Sequence, residues 1–385
     1  MKKKLVGMLA TATLLTMALA GNVQAAEIRS VGPDGEAAVD ASTIELTDDQ
    51  IAQIKEGGYT AAICLHYGGN DWSTSQQKGL EDTFGELGIE IVAVTDANFS
   101  AETQVSNIET VMAKKPDILV SIPTDATATA DAYKQAAAAG IKIVFMDQRA
   151  DGLEAGKDYV SVVSADNYGN GYASGTVLGD ALGGKGKVAM VYYDANFAPT
   201  NQRDEGFRDA MKNYPDIEIV TEQGFTDESG CAEQGDAILT QFPNIDGIYA
   251  SWDVPMEGVL SAVRAAGMEG KVTLACNDLG NNVAREIASG NIAGGGAQMP
   301  YDQGVAEAKL AALALLGEET PSYVAVPAET VTHENVLEAY TDVYHVETPV
   351  ETTYYNKETK KVLDLLKIGY TEDSRKDIRF TQPVD

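Results

Sequence analysis

The sequence predicts an α/β protein built as two doubly wound parallel-sheet lobes. Three observations point there. Short apolar runs alternate with longer helix-like stretches along most of the chain, the rhythm of repeated βαβ units. The runs are nearly continuous in Val, Ile, Leu and Ala, as strands must be when helices cover both faces of a sheet. Ten such runs in 385 residues exceed one comfortable sheet, and the length fits two or three domains.

The chain opens with the positive segment Met1-Lys2-Lys3-Lys4, continues with an apolar, small-residue stretch from Leu5 to Ala20, and reaches the small-x-small spacing Val23-Gln24-Ala25. Residues 1–25 therefore read as a secretory signal, cleaved near Ala25, with an exported, periplasmic mature chain from Ala26. No Cys follows the apolar stretch to carry a lipid, and no later run of about 18 apolar residues could span a bilayer.

After a polar lead segment (26–55) come the runs TAAICLH (60–66), EIVAVTD (90–96), DILVSIP (117–123), KIVFMD (142–147) and YVSVVSAD (159–166). The rhythm continues through KVAMVYYD (187–194), IEIVTEQ (217–223), DGIYASWD (246–253), VTLACND (272–278) and IAGGGAQM (292–299). Helical periodicity fills the intervals, as over Thr74–Leu87, Glu102–Lys114, Ala126–Ala139 and Asn201–Asn213.

Charge and motifs narrow the function. With 28 Lys and Arg against 58 Asp and Glu, the net charge is −30, and nucleic acid is excluded as a partner because phosphate binding needs cations. Cys64, Cys231 and Cys276 are an odd set without CxxC spacing, read as three buried thiols with a single disulfide left open. Gly179 to Lys185 has phosphate-loop spacing, but Gly186 stands where Ser or Thr is needed, and the segment ends a helix instead of starting one. No Gly-x-Ser-x-Gly elbow is present, and His66, His333 and His345 lack metal-ligand spacing. The expectation is a protein that performs no chemistry and needs neither metal nor cofactor.

In doubly wound sheets ligands bind outside the carboxyl ends of the strands. The residues there are His66 to Trp72, Thr124-Asp125, Asp147-Gln148-Arg149, Asp194 to Phe197, Phe225, Trp252-Asp253, Asn277-Asp278 and Gln298. Both tryptophans of the chain fall in this set, and aromatic faces with a few convergent polar groups are how small-molecule clefts are built. Blander roles stand beside that reading: Asp147 and Asp278 as helix caps, Arg203 paired with Asp204 or Glu205 on a solvated face, and His66 as a core residue.

At this point the chain resembles the type I periplasmic sugar-binding proteins, the ribose-binding-protein-like solute receptors of ABC transporters. The resemblance runs from about Tyr59 to Val331. It rests on an ordered set: Asn70 and Trp72, Ile122-Pro123-Thr124-Asp125, Met146-Asp147-Gln148, Ser164-Ala165-Asp166-Asn167, Arg203-Asp204-Glu205-Gly206-Phe207, Trp252-Asp253, Asn277-Asp278 and Ala297-Gln298-Met299-Pro300.

It implies the type I periplasmic binding protein fold, with lobes of residues 26–165 plus 299–327 and 166–298 plus 328–385 joined by a three-strand hinge. It also implies that Asn70, Asp147, Arg203, Asp278 and Gln298 hydrogen-bond the ligand, with Trp72 and Phe225 at aromatic positions. A monomer handing a sugar or polyol to a membrane permease is the implied function; a cationic or nitrogenous ligand in an aromatic box, or service to a chemoreceptor, are the alternatives. Departures lie at Gln148, where ribose-binding proteins carry Arg, at Trp252, where they carry Asn, and at His66 in the first loop; they argue against ribose itself. The segment from Thr332 to Asp385 lies beyond the family's usual end.

Overall fold

The computed structural model describes residues 28–345; the signal segment and the tail holding Tyr354-Tyr355 and Glu358–Lys367 lie outside the described residues. The strands are β1 (Val39–Asp40), β2 (Thr60–Leu65), β3 (Glu90–Asp96), β4 (Ile118–Ser121), β5 (Lys142–Met146), β6 (Ser161–Ala165) and β7 (Lys185–Tyr193). They continue as β8 (Asp216–Phe225), β9 (Gly247–Ala250), β10 (Thr273–Cys276), β11 (Gly294–Ala297), β12 (Tyr323–Val326) and β13 (Glu329–Thr332). The helices are α1 (Asp48–Gly57), α2 (Asp71–Glu86), α3 (Ala101–Ala113), α4 (Ala130–Ala138), α5 (Asn167–Ala181) and α6 (Ala198–Met211). After them come α7 (Cys231–Gln241), α8 (Asp253–Ala265), α9 (Asn281–Ala288), α10 (Pro300–Leu315) and α11 (Val336–Tyr344).

Two sheets organise these elements. One has the order β1-β12-β6-β5-β4-β2-β3 and is parallel throughout. The other has the order β13-β11-β10-β9-β7-β8, parallel except for the antiparallel edge β11–β13. Each of the ten runs predicted from sequence forms one strand, β2 to β11. The chain passes from one sheet to the other three times: after Ala165, between Ala297 and Pro300, and between Val326 and Glu329.

Each lobe has its own core, because helices bury an apolar stripe on both faces of its sheet. Ile63, Val120, Val144 and Val163 pack under α2 and α10, while Leu119, Ile143, Phe145 and Tyr133 fill the opposite face. The second lobe does the same with Val191, Ile248, Leu274 and Val259 on one side and Phe207, Tyr249 and Met190 on the other. Cys64, Cys231 and Cys276 are free and buried inside these layers. Burial pushes the first two thiols up to about 11 and about 12.

A close helix crossing sets the site. A Cβ on Gly171 of α5 would lie 1.8 Å from the Arg203 carbonyl of α6, and one on Gly206 would lie 2.1 Å from the Tyr168 carbonyl. Only glycine permits that approach, which brings Arg203 beside the start of α5.

Three strands, β1, β12 and β13, and the helices α1, α10 and α11 were not read from sequence. The strands have two or four residues, too short for periodicity to register. Helix α11 packs Val336, Ala339 and Val343 into the second core, and His345 just beyond it reaches Asp302 of α10 at 3.0 Å. The described start of the C-terminal segment is therefore packed.

Candidate ligand-binding site

A cavity of about 60 Å³ opens between the carboxyl ends of the two sheets. From the first lobe His66, Tyr67, Asn70, Trp72, Phe99, Ile122 and Asp147 line it. From the second come Tyr193, Phe197, Pro199, Thr200, Arg203, Trp252, Asp278 and Gln298.

The loop after β2 carries the first wall. Asn70 caps α2, accepting from the Ser73 amide at 2.9 Å, and its Nδ2 donates to the Tyr67 hydroxyl. The His66 ring meets Trp72 edge-on at 5.7 Å and stacks with Phe197 of the other lobe at 5.7 Å. Burial pushes its pKa down to about 3, so the imidazole is neutral at any physiological pH.

Asp147 follows β5 directly and Asp278 lies two residues past the end of β10; both have left-handed backbones, with φ of 54° and 67°. Such φ values are uncommon outside glycine and cluster where a side chain must be aimed. Neither residue caps a helix; Asp166 and Gly280 hold those places for α5 and α9. Asp147 Oδ1 accepts from Ser164 Oγ at 3.0 Å and from Gln303 Nε2 at 3.3 Å. Asp278 accepts from Arg203 Nη1 at 3.0 Å and from Gln298 Nε2 at 2.7 Å.

Arg203 is buried and fully engaged on one side. Its Nε donates to Asn167 Oδ1 at 2.9 Å and its Nη1 to the Ser251 carbonyl at 3.2 Å. Burial works against its charge, but Asp278 and Asp147 outweigh that and raise its pKa. The pairing with Asp204 or Glu205 entertained from sequence does not occur. Asp204 instead accepts from Ser251 Oγ at 2.7 Å, and burial pushes its carboxyl up to about 7.

On the second lobe Trp252 donates its Nε1–H to Glu228 at 2.7 Å. Phe225 does not line the cavity; it packs behind Trp252 at 5.1 Å and Tyr193 at 5.6 Å. Gln148 does not line it either. Its Nε2 donates to the Pro123 carbonyl at 2.8 Å and its Oε1 accepts from the Ala198 amide at 3.2 Å, a bond between lobes. A second such bond runs from the Asn281 amide to Asp71 at 2.6 Å. Arg149 turns away and makes a bidentate pair with Asp34, both bonds 2.8 Å.

Three buried polar atoms at the cavity have no partner: His66 Nδ1, Trp72 Nε1 and Gln298 Oε1. Buried polar groups ordinarily find one, so the bonding of this wall is incomplete at these three atoms. Among the described residues no cluster of three or more His, Cys, Asp or Glu is placed to hold a metal ion. Sequence reasoning did not single out Phe99, Tyr193, Phe197 or Asn167 as site residues, and gave Tyr67 a place only in the aromatic box of the alternative, cationic ligand. Tyr67 and Phe197 stood in the strand-end loops and were legible; Phe99, brought in by a left-handed Asn98–Phe99 turn, was not.

A family model described as "Periplasmic binding protein domain" matches residues 61–319. The chain belongs to the type I periplasmic binding protein family. Its curated relatives are binding proteins. The ribose import binding protein of Bacillus subtilis is 27% identical over 55% of this chain and 67% of its own length. The D-ribose/D-allose-binding protein of Pseudomonas aeruginosa is 29% identical over 68% of this chain and 83% of its own. Among solved structures, the periplasmic solute binding protein of an ABC transporter from Actinobacillus succinogenes, with bound D-allose, superposes with a TM-score of 0.67 at 29% identity, covering 72% of this chain and 99% of that one. A solute binding protein from Agrobacterium vitis bound with α-D-tagatopyranose gives 0.69 at 26% identity, covering 74% and 98%. No helix among the described residues of this periplasmic binding protein is long and apolar enough to cross a membrane.

Proposed function

We propose that this chain is the exported receptor of an ABC importer, capturing a sugar or sugar-like polyol between its lobes and delivering it to a membrane permease. One observation carries the reading: Asp147 from one lobe and Arg203, Asp278 and Gln298 from the other face a single aromatic-walled cavity. A hydroxyl both donates and accepts, so carboxylates accept its hydrogen bond while Arg203, donor only, addresses a ring or carbonyl oxygen. The C–H face of a sugar then lies against Trp72 or Trp252. A ligand touching both lobes favours the arrangement in which they meet, and the three crossings between sheets are the hinge about which 26–165 plus 299–327 and 166–298 plus 328 onward move. The permease reads that closed form.

The sugars bound by related proteins, D-ribose, D-allose and tagatose, set the first panel, joined by pentitols, inositols and small amines. A ligand at one hundred times its Kd adds about 2.7 kcal/mol to folding and raises Tm by several degrees. A shift with a neutral sugar or polyol, unchanged by salt, supports the proposal. A shift confined to amines and weakened by salt supports a cationic ligand instead, a reading favoured by the surplus of carboxylates around one arginine. No shift with any of them contradicts both.

A further inference from the structure

Beside Asp147 lies a buried polar cluster that does not line the cavity. It consists of Gln303 and Glu307, one turn apart on α10, and Gln76 of α2, all three wholly inaccessible to solvent. Gln303 Nε2 donates to the Val163 carbonyl at 3.0 Å, to Asp147 Oδ1 at 3.3 Å and to Glu307 Oε1 at 3.4 Å. Gln76 Nε2 donates to the same Glu307 oxygen at 2.7 Å. The remaining oxygens, Glu307 Oε2, Gln76 Oε1 and Gln303 Oε1, have no donor.

The cluster is short of protons. An ionised Glu307 would be a third acceptor beside two unpaired ones, with no Lys or Arg pairing with it among the described residues. The titratable group facing it is Asp147; α2 presents the uncharged Gln76 and β6 the Val163 carbonyl. Two carboxylates sharing one amide donor in a dry interior do not both stay charged. The proton settles on Glu307 because Asp147 has Arg203 and the Ser164 hydroxyl nearby to support its charge, whereas Glu307 has only amides.

We infer that Glu307 is a neutral carboxylic acid in the folded protein and, through Gln303, a positioning residue that keeps Asp147 oriented for the ligand. The inference rests on the proposed reading in which Asp147 touches the solute. A carboxylic acid at 307 fixes the Gln303 amide so that its NH2 points at Asp147, and adds no second negative charge beside it. Burial raises the Glu307 carboxyl well above its usual range, in the same direction.

The proton is tested without a ligand. Urea unfolding of the mature parent and of Glu307→Gln is followed from pH 5 to pH 8. The unfolded parent releases a proton that the folded parent keeps, so its unfolding constant rises about tenfold per pH unit relative to the variant. A ratio that does not change with pH overturns the neutral acid. The positioning is tested with the panel sugar giving the largest Tm shift, D-allose first. Asp147→Asn weakens its binding tenfold or more; Gln303→Leu and Glu307→Leu weaken it in the parent but not further in Asp147→Asn, and Glu307→Gln rescues the loss. Full binding by Gln303→Leu, with Asp147→Asn still impaired, overturns the positioning and spares the site reading. Full binding by Asp147→Asn, or a silent panel, overturns the site reading and the positioning with it, and the unfolding arm still decides the proton.

Discussion

Asp147 and Asp278 hold corresponding places in the two lobes, each just past the end of its strand in a left-handed backbone, yet they are held by different chemistry. Asp278 is clamped by a buried guanidinium and an amide. Asp147 is held by a hydroxyl and an amide, and burial outweighs its support from Arg203, so its carboxyl is raised. One lobe thus presents a carboxylate whose charge is matched on the spot, and the other a carboxylate whose charge is left available to a guest. Removing the first breaks a structural ion pair; removing the second relieves a desolvated charge.

The largest effect follows from deleting the shared cation. Arg203→Met leaves Asp278 buried without its counterion, which costs about 3–5 kcal/mol of stability on urea unfolding and abolishes ligand binding. A loss below about 1 kcal/mol would mean the pair is solvated in solution. Next comes the contrast itself. Asp278→Asn leaves Arg203 without its closest carboxylate and loses about 2–3 kcal/mol of stability as well as affinity. Asp147→Asn loses about 1.5–3 kcal/mol of affinity by titration calorimetry while stability at pH 7 holds or rises. Equal destabilisation by the two substitutions would erase the distinction between the lobes.

A pH series sharpens it further within the second lobe. The Asp204 carboxyl, raised by burial to about 7, keeps its proton between about pH 4 and 7, where the unfolded chain releases it. Relative to Asp204→Asn, the parent therefore loses stability as pH rises through that window, by about 1.4 kcal/mol per unit. The two curves run parallel below pH 4 and above pH 7; parallel curves throughout would place Asp204 ionised. The smallest effect is Trp72→Phe, which removes the unpartnered Nε1–H from the wall beside Asn70. About 1 kcal/mol of affinity goes and stability does not change, if the ligand supplies the missing acceptor.

What was legible in the sequence was whatever repeats or punctuates. The ten strands β2 to β11 announced themselves as apolar runs, and their polar ends delivered Asp147, Asp278, Trp72, Trp252 and His66 to the cavity wall. Position alone placed Gln148 and Phe225 there too, but side-chain direction sent Gln148 to the Ala198 amide and Phe225 behind Trp252. Short strands of two or four residues, such as β1 and β12, exist only because a neighbour pairs with them, as Val39 does with Val324. The Gln76–Glu307 bond spans 231 residues of sequence, and α10 reads as an ordinary Ala- and Leu-rich helix in which an acid would be placed toward solvent. Burial of that acid is a tertiary fact that no local pattern carries.

The central claim is that one solute is held by both lobes at once. Titration calorimetry of the sugar that most raises Tm, against the parent, Asp147→Asn and Asp278→Asn, tests it directly. Bridging predicts at least a tenfold loss of affinity from each substitution, although they lie on different sheets. Loss from one alone, with the other binding as the parent does, would put the solute on a single lobe and contradict the account.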